Sequence, residues 1–354
     1  MASLLFESPI SKAVQRLVVL PLSPFVSCPL LLTVTLAPAA ARDALSSLLS
    51  TPIGDGVIAS AKVVLRALLG VGIIRWVNWG VNTLAARSWR LTTDRRWDWS
   101  EEIAVVTGGS SGIGQETVAQ LADLGARVAI LDIQPPLDKA VRSHPRVHFY
   151  ECDITSKDSI TANASVIRST IGHPTILINN AGVTNPGTIL SASEAFLRKI
   201  IGVNLVSHWF TTQEFLPNMI ETNKGHIITI ASVASFLALP GAADYSATKA
   251  GALAFHEALT TEIRHHHKAP GVLTTVVHPS YVQTPLIAGV NRRLAGAGVP
   301  LLDSGRVASE IVQRIRSGRG GQLILGVPSV VSGIRGWPLW MQELVRDSMA
   351  RTLA

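Results

Sequence analysis

The sequence predicts an α/β fold: one open parallel sheet, doubly wound with helices on both faces, preceded by an apolar N-terminal arm. Three observations carry this expectation. From residue 101 onward short apolar runs alternate with helical patterns, as they do when parallel strands are joined by crossover helices. The first of these runs, 103–106, passes through a turn rich in Gly and Ser straight into a helical pattern, with Val118, Leu121, Ala122 and Leu124 at three- and four-residue steps. The high mean hydropathy of the chain, +0.33, has its source in two long apolar stretches before residue 100.

The 354 residues suffice for one large α/β domain plus an extension. The net charge of +7 is uneven: residues 1–100 hold ten Lys/Arg against five Asp/Glu, residues 101–354 hold 21 against 19. A nearly neutral body argues against a nucleic-acid-binding domain, whereas a basic arm suits anionic lipid headgroups. The two cysteines, Cys28 and Cys152, indicate neither a disulfide framework nor a metal site.

In the arm, residues 17–41 run for 25 positions without a charge, between Lys12/Arg16 and Arg42/Asp43. That length can cross a hydrocarbon core, although Pro21, Pro24, Pro29 and Pro38 each remove a helix donor. Signal-peptide and mitochondrial-presequence readings are rivals. A second stretch, 57–86, is interrupted by Lys62, Arg66 and Arg75, with Trp76 and Trp79 beside the last. It is expected to lie in the membrane surface as an interfacial helix. Residues 87–102 form a polar linker. The chain therefore divides into a membrane-associated arm, 1–100, and a catalytic domain, 101–354.

Within the body, the helix after Gly114 ends near 124–125, and a second strand, 127–131, ends at Asp132. An acidic residue about twenty positions past the glycines can accept both ribose hydroxyls of NAD. No Lys or Arg stands at 109–111 or 133–134 to receive a 2′-phosphate, so NAD(H) is favoured, with NADP(H) not excluded. Further strands are expected at 147–152, 175–178, 225–230, 272–277 and 322–327. Helices are expected at about 156–171, capped by Ser156, at 194–221 as one long element, at about 242–264, and at 304–317. The segment 286–302 is apolar and irregular, and the tail carries Trp337, Trp340 and Met341.

The chemistry follows from spacing. Gly108 permits a tight turn, Gly112 lets backbone approach a pyrophosphate, and Gly114 lets helix pack on strand; the helix N-terminus then offers free N–H groups. Tyr245 and Lys249, four apart on a helix, share a face. A nearby ammonium lowers a phenol's pKa toward usefulness as an acid or base. Ser232, at a strand end, can hold the substrate oxygen, and Asn204, a polar residue in an apolar helical stretch, can hold a relay water. The His265–His267 run reads as a solvated helix end.

Over nearly all of residues 101–330 the sequence resembles the short-chain dehydrogenase/reductase family, with its Rossmann-type fold. The residues that carry the resemblance are Thr107, Gly108, Gly112, Gly114, Asp132, Asp153, the 179–182 run Asn-Asn-Ala-Gly, Asn204, Ser232, Tyr245, Lys249, Pro279 and Thr284. The resemblance implies Tyr245 as acid/base, Lys249 as its tuner and a ribose contact, Ser232 as the residue orienting the reacting oxygen, and Asn204 as holder of the relay water. It implies a cofactor site of Thr107, Gly108, Ser110, Ser111, Gly112, Ile113, Gly114, Asp132, Asp153, Ile154, Asn180, Ala181, Gly182, Tyr245, Lys249, Pro279, Val282 and Thr284. Asp153 falls at the adenine contact, Asn180 beside the adenosine ribose, Val282 and Thr284 at the carboxamide. Ser280 stands where the family often has Gly. The apolar arm looks like the retinol- and hydroxysteroid-dehydrogenase branch. Leu286, Ile287, Val290, Leu294, Val299, Leu301 and Leu302 are expected to line a chamber for an apolar alcohol.

The function expected is NAD(H)-dependent interconversion of an alcohol and a carbonyl on a lipophilic, retinoid-, steroid- or fatty-type substrate. The rivals are reduction of a soluble carbonyl and a non-catalytic nucleotide-binding membrane scaffold. The membrane lipid contact falls on residues 1–86, at the endoplasmic reticulum or a lipid droplet, or alternatively at a mitochondrion. The family resemblance implies a homodimer or tetramer pairing through the helices at 194–221 and 242–264.

Overall fold

Seven parallel strands form the centre of the body in a computed structural model that describes residues 22–91 and 97–353. They are β1 (Ile103–Thr107), β2 (Arg127–Asp132), β3 (Val147–Glu151), β4 (Ile176–Asn179), β5 (Gly225–Ile230), β6 (Val272–Pro279) and β7 (Gly321–Leu325). Their spatial order is β3-β2-β1-β4-β5-β6-β7. The chain winds outward one way from β1 through β2 and β3, then returns to pair β4 on the other side of β1. That reversal opens a crevice beyond the carboxyl ends of β1 and β4, the place where such sheets receive ligands. β1, β4, β5 and β6 are buried along their whole length, as strands covered on both faces must be.

The unit formed by residues 22–85 holds three helices: α1 (Pro24–Leu36), α2 (Pro38–Leu49) and α3 (Asp55–Ala85). Two apolar stretches named from the sequence fall in this unit. The apolar run 17–41, of which 17–21 lie outside the described residues, is not one rod: α1 and α2 meet at Ala37 at an angle of 111°. Pro38 cannot donate to the preceding turn, and the new helix starts there. The stretch at 57–86, expected as an interfacial helix, is helical over nearly its whole length. α3 is a continuous helix of 31 residues with a mean hydropathy of 2.1 in its most apolar window, long and apolar enough to cross a membrane. Lys62, Arg66 and Arg75 do not interrupt it, because long basic side chains can lay their stems along an apolar helix. Val34, Ala41 and Ile58 form the small core of this unit.

The second unit begins at Ala86, ahead of the expected boundary at residue 100. Trp97 Nε1 donates to the Ile315 carbonyl at 2.6 Å and Gly320 N–H to the Ala86 carbonyl at 2.9 Å, which ties this leader to the body. The helices are α4 (Gly112–Asp123), α5 (Lys139–Ser143), α6 (Lys157–Thr170), α7 (Glu194–Ile201), α8 (Ser207–Glu221), α9 (Ala243–His265), α10 (Asn291–Gly296), α11 (Ser304–Arg316) and α12 (Leu339–Leu353). One core, with Ile160, Ile167, Phe215 and Met219, fills the face under α6, α8 and α9. The other, with Val118, Leu121, Val307 and Ile311, fills the face under α4 and α11.

The long helical region expected over 194–221 runs without a gap, but its winding changes midway. A π-helical turn, Gly202–Val206, separates α7 from α8 and holds Asn204 at its centre. Such insertions accumulate at functional sites. The tail, expected as strand and Trp-rich segment, also carries α12, and the irregular 286–302 segment contains α10.

Candidate active site

Past the carboxyl ends of β1 and β4 lies a cavity of about 1550 Å³. Its first wall is the β1–α4 turn. Gly108 sits at φ +62°, and a Cβ there would come within 2.7 Å of the Ala181 backbone. Gly114 packs α4 onto the turn so closely that a Cβ would overlap the Gly108 carbonyl oxygen and lie 2.5 Å from Asn180 Nδ2. Ser111 is the N-cap of α4, yet its hydroxyl makes no capping bond. The first-turn N–H groups therefore have no capping side chain, and Gly112 and Ile113 of that turn line the cavity, an arrangement suited to an anion. This cradle, closed to any Cβ and lined with open donors, fits the pyrophosphate of a dinucleotide.

The polar residues around the cradle are engaged in holding it. Thr107 Oγ1 accepts from the backbone N–H groups of Asn180 (3.0 Å) and Ala181 (3.1 Å), tying β1 to β4. Asn180 Nδ2 donates to the carbonyls of Thr107 and Gly108 at 3.0 and 2.9 Å. The amide expected beside a ribose thus belongs to the turn itself, because two buried carbonyls at a strand end need a donor. Asp132 accepts from Ser110 N–H at 3.1 Å, and Ser110 Oγ donates to the Gln134 carbonyl at 2.5 Å. Asp153 Oδ1 takes both the N–H and the hydroxyl of Thr155. Gly108, Ser111, Gly112, Ile113, Asp132, Asp153, Ile154, Asn180, Ala181, Gly182, Pro279, Val282 and Thr284 all line the cavity. Thr107, Ser110 and Gly114 are not on its wall; they shape the turn from behind. Ser280 keeps a negative φ, so the backbone path beyond Pro279 does not require the family's glycine.

Ser232, Tyr245 and Lys249 line the same cavity. Ser232 follows β5, and its Oγ accepts from Ala234 N–H at 3.2 Å. Tyr245 and Lys249 lie one turn apart on α9, with Lys249 Nζ 5.6 Å from the phenol ring centroid. The amine donates to the Ile230 carbonyl at 2.7 Å. Burial pushes the Lys249 ammonium down to about 8. The phenol departs from expectation: burial raises the pKa of Tyr245, and the hydrogen bond with Ser232 draws it back only in part. Desolvation penalises the phenolate, and the amine that was expected to offset this is turned toward Ile230.

Asn204 is fully buried, away from the cavity wall. Its Oδ1 accepts from Val183 N–H at 2.8 Å, while Nδ2 donates to the Val183 carbonyl at 3.0 Å and to Thr248 Oγ1 at 3.2 Å. This amide clamps the segment after β4, in the manner of a strand partner. A Cβ on Gly182 would lie 3.6 Å from Asn204 Oδ1 and 3.7 Å from Lys249 Nζ, so the clamp stands directly beside the amine.

The cavity continues into an apolar chamber. Of the lining expected from sequence, Leu286, Ile287, Val290, Leu294 and Val299 are on its wall; Leu301 and Leu302 are not. Leu302 is held in a bridge with Val282 and turns its side chain to the core beneath the sheet. Sequence reasoning missed the rest of the chamber: Leu237, Leu239, Tyr281, Val327, Val331 and Met349. Its rim is closed where Gly187 N–H meets the Gly241 carbonyl at 2.8 Å. The Asn-Pro-Gly and Pro-Gly runs at 185–187 and 240–241 are the only signals that could have marked it. His278 was missed as well. Its Nδ1 lies 3.1 Å from the Ser232 carbonyl and 2.8 Å from Ser235 Oγ, and burial pushes it down to about 4, so the ring beneath Ser232 stays neutral.

A dinucleotide-shaped corner and a Ser/Tyr/Lys wall on one doubly wound sheet define the class, a nicotinamide-dependent oxidoreductase of the alcohol/carbonyl type. Comparison with known proteins agrees: residues 102–295 match the family model described as short chain dehydrogenase, and the chain belongs to that family. It is 46% identical over 186 residues to Dehydrogenase RED2 of Cochliobolus heterostrophus, covering 52% of this chain and 70% of that protein. It is 30% identical to human Estradiol 17-beta-dehydrogenase 11, covering 67% and 78%. It is also 30% identical to Retinol dehydrogenase 10-B of Danio rerio, covering 54% and 64%. These relatives set it in the retinol/hydroxysteroid dehydrogenase-like branch. Among solved structures, ligand-free aldohexose dehydrogenase (AldT) of Thermoplasma acidophilum superposes with a TM-score of 0.56 at 24% identity, over 67% of this chain and 97% of that one, a likeness of fold.

Proposed function

We propose that the protein interconverts a lipophilic alcohol and its carbonyl compound, with NAD(H) as the preferred cofactor and the N-terminal helices as its membrane attachment. One observation carries the reading: Ser232, Tyr245 and Lys249 meet at the wall where the glycine-cornered cavity passes into the apolar chamber. The dinucleotide supplies or accepts the hydride. Tyr245 Oη gives a proton to the carbonyl oxygen in reduction or takes it from the alcohol in oxidation. Ser232 Oγ holds that oxygen beside the phenol, and the buried Lys249 amine, 5.6 Å from the phenol ring, places positive charge beside Tyr245 when protonated. Asn204 and His278 are positioning residues, the first for the Val183–Lys249 side, the second for the Ser232 backbone.

Asp132 at the end of β2, with no cation at 109–111 or 133–134, supports NAD over NADP, since a 2′-phosphate would face a carboxylate. The chamber's apolar wall supports a substrate held by area burial, and the names of the estradiol and retinol dehydrogenase relatives point the same way. α3 supports a membrane site, of endoplasmic reticulum or lipid-droplet type. The likeness to other family members supports a homodimer or tetramer.

The test is a panel of apolar and polar alcohols with the detergent-solubilised protein and NAD, followed by NADH absorbance. Apolar alcohols should turn over, and Tyr245→Phe should bind NADH normally while turnover falls by roughly a thousandfold. Turnover of polar alcohols alone, or equal activity in the variant, overturns the reading.

A further inference from the structure

At the end of the sheet away from the cavity, a group of arginines gathers without forming an ion pair. α9 ends at His265, and Val272 N–H bonds the Ala269 carbonyl, so its last turn arrives at the start of β6. Thr260 Oγ1 pairs there with Thr274 Oγ1 at 2.7 Å, and Arg264 lies one turn further along the same helix face. Thr274 abuts Gly320, where a Cβ would come within 2.5 Å of its carbonyl oxygen. Gly320 N–H donates to the Ala86 carbonyl at 2.9 Å, which brings residues 319 and 87 to the same edge. Arg90 N–H closes a turn on the Arg87 carbonyl, and Arg314 Nη1 donates to the Gly320 carbonyl at 3.0 Å. Arg316 ends α11 between positions 314 and 319.

Other arginines of the body are answered. Arg168 meets Glu214 at 3.2 Å, Arg198 meets Glu194 at 2.7 Å, and Arg335 donates to the carbonyls of Ser235 and Phe236. Among the described residues, none of Arg87, Arg90, Arg264, Arg314, Arg316 and Arg319 has a carboxylate at ion-pair distance. Arg316 is exposed and the other five are half-buried. The Nε atoms of Arg87, Arg90, Arg264 and Arg319 are buried with no acceptor. Burial, and then the charge of Arg319, push Arg314 below the ordinary guanidinium value, and Glu310 on its own helix offsets less. Lys268, exposed just past α9, adds charge of the same sign. Gathering like charges costs free energy in the isolated body, so this edge suits a counter-charge brought from outside it.

The kind of partner follows from where the edge begins. Arg87 stands two residues after Ala85, the last residue of α3, a helix long and apolar enough to cross a membrane. A cationic surface that starts at such a helix end is held near phospholipid headgroups, and each Lys or Arg near an anionic surface strengthens the attraction. We propose that the edge carrying these six arginines docks the catalytic body on an anionic phospholipid surface. The cavity lies past the opposite ends of the strands, so an occupied edge leaves the dinucleotide corner open to water. The proposal rests on the membrane attachment proposed above and adds a second, electrostatic contact to it.

The test reconstitutes the full chain into vesicles of phosphatidylcholine alone and of phosphatidylcholine with about 30% phosphatidylserine. Backbone hydrogen exchange is followed in the segments 86–91, 264–271 and 314–321. At about 0.1 M salt, exchange there should be slower by about threefold or more in the anionic vesicles, and the difference should vanish at about 1 M salt. The double variant Arg316→Gln/Arg319→Gln should lose most of the protection, Arg316→Lys/Arg319→Lys should keep it, and both should bind NADH as the unmodified protein does. Equal exchange in the two kinds of vesicle, or protection that survives in the Gln variant, overturns the docking surface. So does equal protection of the chain in phosphatidylcholine vesicles by inorganic phosphate or by a duplex oligonucleotide, which would make the edge a site for a soluble anion or a nucleic acid. A chain that stays out of neutral vesicles but joins the anionic ones leaves the docking surface standing and removes α3 as the anchor. A chain held by neutral vesicles, with no added protection in anionic ones, does the reverse.

Discussion

The two ends of the cavity are built on different principles. At the dinucleotide end the wall is backbone: a turn at positive φ, a helix N-terminus, and polar side chains that hold carbonyls and N–H groups of their own neighbours. At the chamber end the wall is side chain: Ile287, Val290, Leu294, Val299 and Val331 pack in one cluster, and Leu286 joins them on the cavity wall. A backbone wall recognises one shape and resists any added atom. A side-chain wall can be re-cut residue by residue without disturbing the chemistry. The difference teaches why one sheet can keep its cofactor corner and change its substrate.

The largest expected effect breaks the first end. Gly114→Ala places a Cβ inside the Gly108 carbonyl oxygen and against Asn180 Nδ2, neither of which is the end of a flexible side chain free to yield. The variant should lose upwards of about 4 kcal/mol of stability or fail to fold. Urea unfolding measures it, with NADH titration of whatever remains soluble. Ordinary stability with ordinary NADH affinity would show that the corner is more compliant than a backbone wall can be.

Next in size is the pH dependence of the seam between the two ends. Lys249 has its pKa lowered by burial from 10.5 to about 8. Below pH 8 it is charged in both folded and unfolded chains, and the folded state bears the whole desolvation cost. Between pH 8 and 10.5 the folded protein gives up the proton while the unfolded chain keeps it, so stability rises with pH over that window. Relative to Lys249→Met, the unmodified protein should gain up to roughly 3 kcal/mol from pH 8 to 10.5. Parallel stability curves for the two proteins would mean that the amine is solvated, and the seam wet.

The same contrast explains what could be read from sequence. The dinucleotide corner was legible because its determinants are neighbours in the chain: apolar strand, glycines, helix, then an acid at the next strand end. Tyr245 and Lys249 were legible because four residues on a helix is a local rule. The π-turn at Asn204 was not, since residues 200–206 are otherwise apolar and read as continuous helix; the distortion coincides with a clamp to Val183, 21 residues away. The chamber was legible in part, where 286–299 is contiguous, and hidden where 237–241, 327–331 and Met349 arrive from distant segments. The phenol's raised pKa was hidden for a related reason: spacing places an amine near Tyr245 but is silent on burial and on the pull of Ile230. In the arm, the helix at 57–86 was legible from its apolar residues, while the bend at Ala37 was marked only by Pro38.

A smaller effect sharpens the first end further. Asp132 accepts Ser110 N–H and stands on the cavity wall, so its charge is both a clasp of the turn and a repellent to a 2′-phosphate. Asp132→Ser keeps an acceptor for the clasp and removes the charge. The ratio of kcat/KM for NADPH over NADH should rise about tenfold, a shift of roughly 1.4 kcal/mol. An unchanged ratio would remove Asp132 from cofactor choice and leave it as a turn residue alone.

The smallest effect belongs to the chamber, and its smallness is the point. Gly289 lines the cavity as Gly108 and Gly112 do, but it has an ordinary φ, and a Cβ there would meet nothing within 4 Å. Gly289→Ala should change stability by less than about 0.5 kcal/mol, with any drift toward stabilisation because the unfolded chain loses freedom. NADH affinity should not move. The added methyl projects into open space at the chamber end, so KM for bulky apolar alcohols is the quantity free to change, by about twofold to threefold in either direction. Thermal unfolding, NADH titration and KM across a series of chain lengths measure all three. A loss of NADH binding in this variant would mean that the two ends are mechanically one wall, and that the division between backbone recognition and side-chain recognition does not hold in this protein.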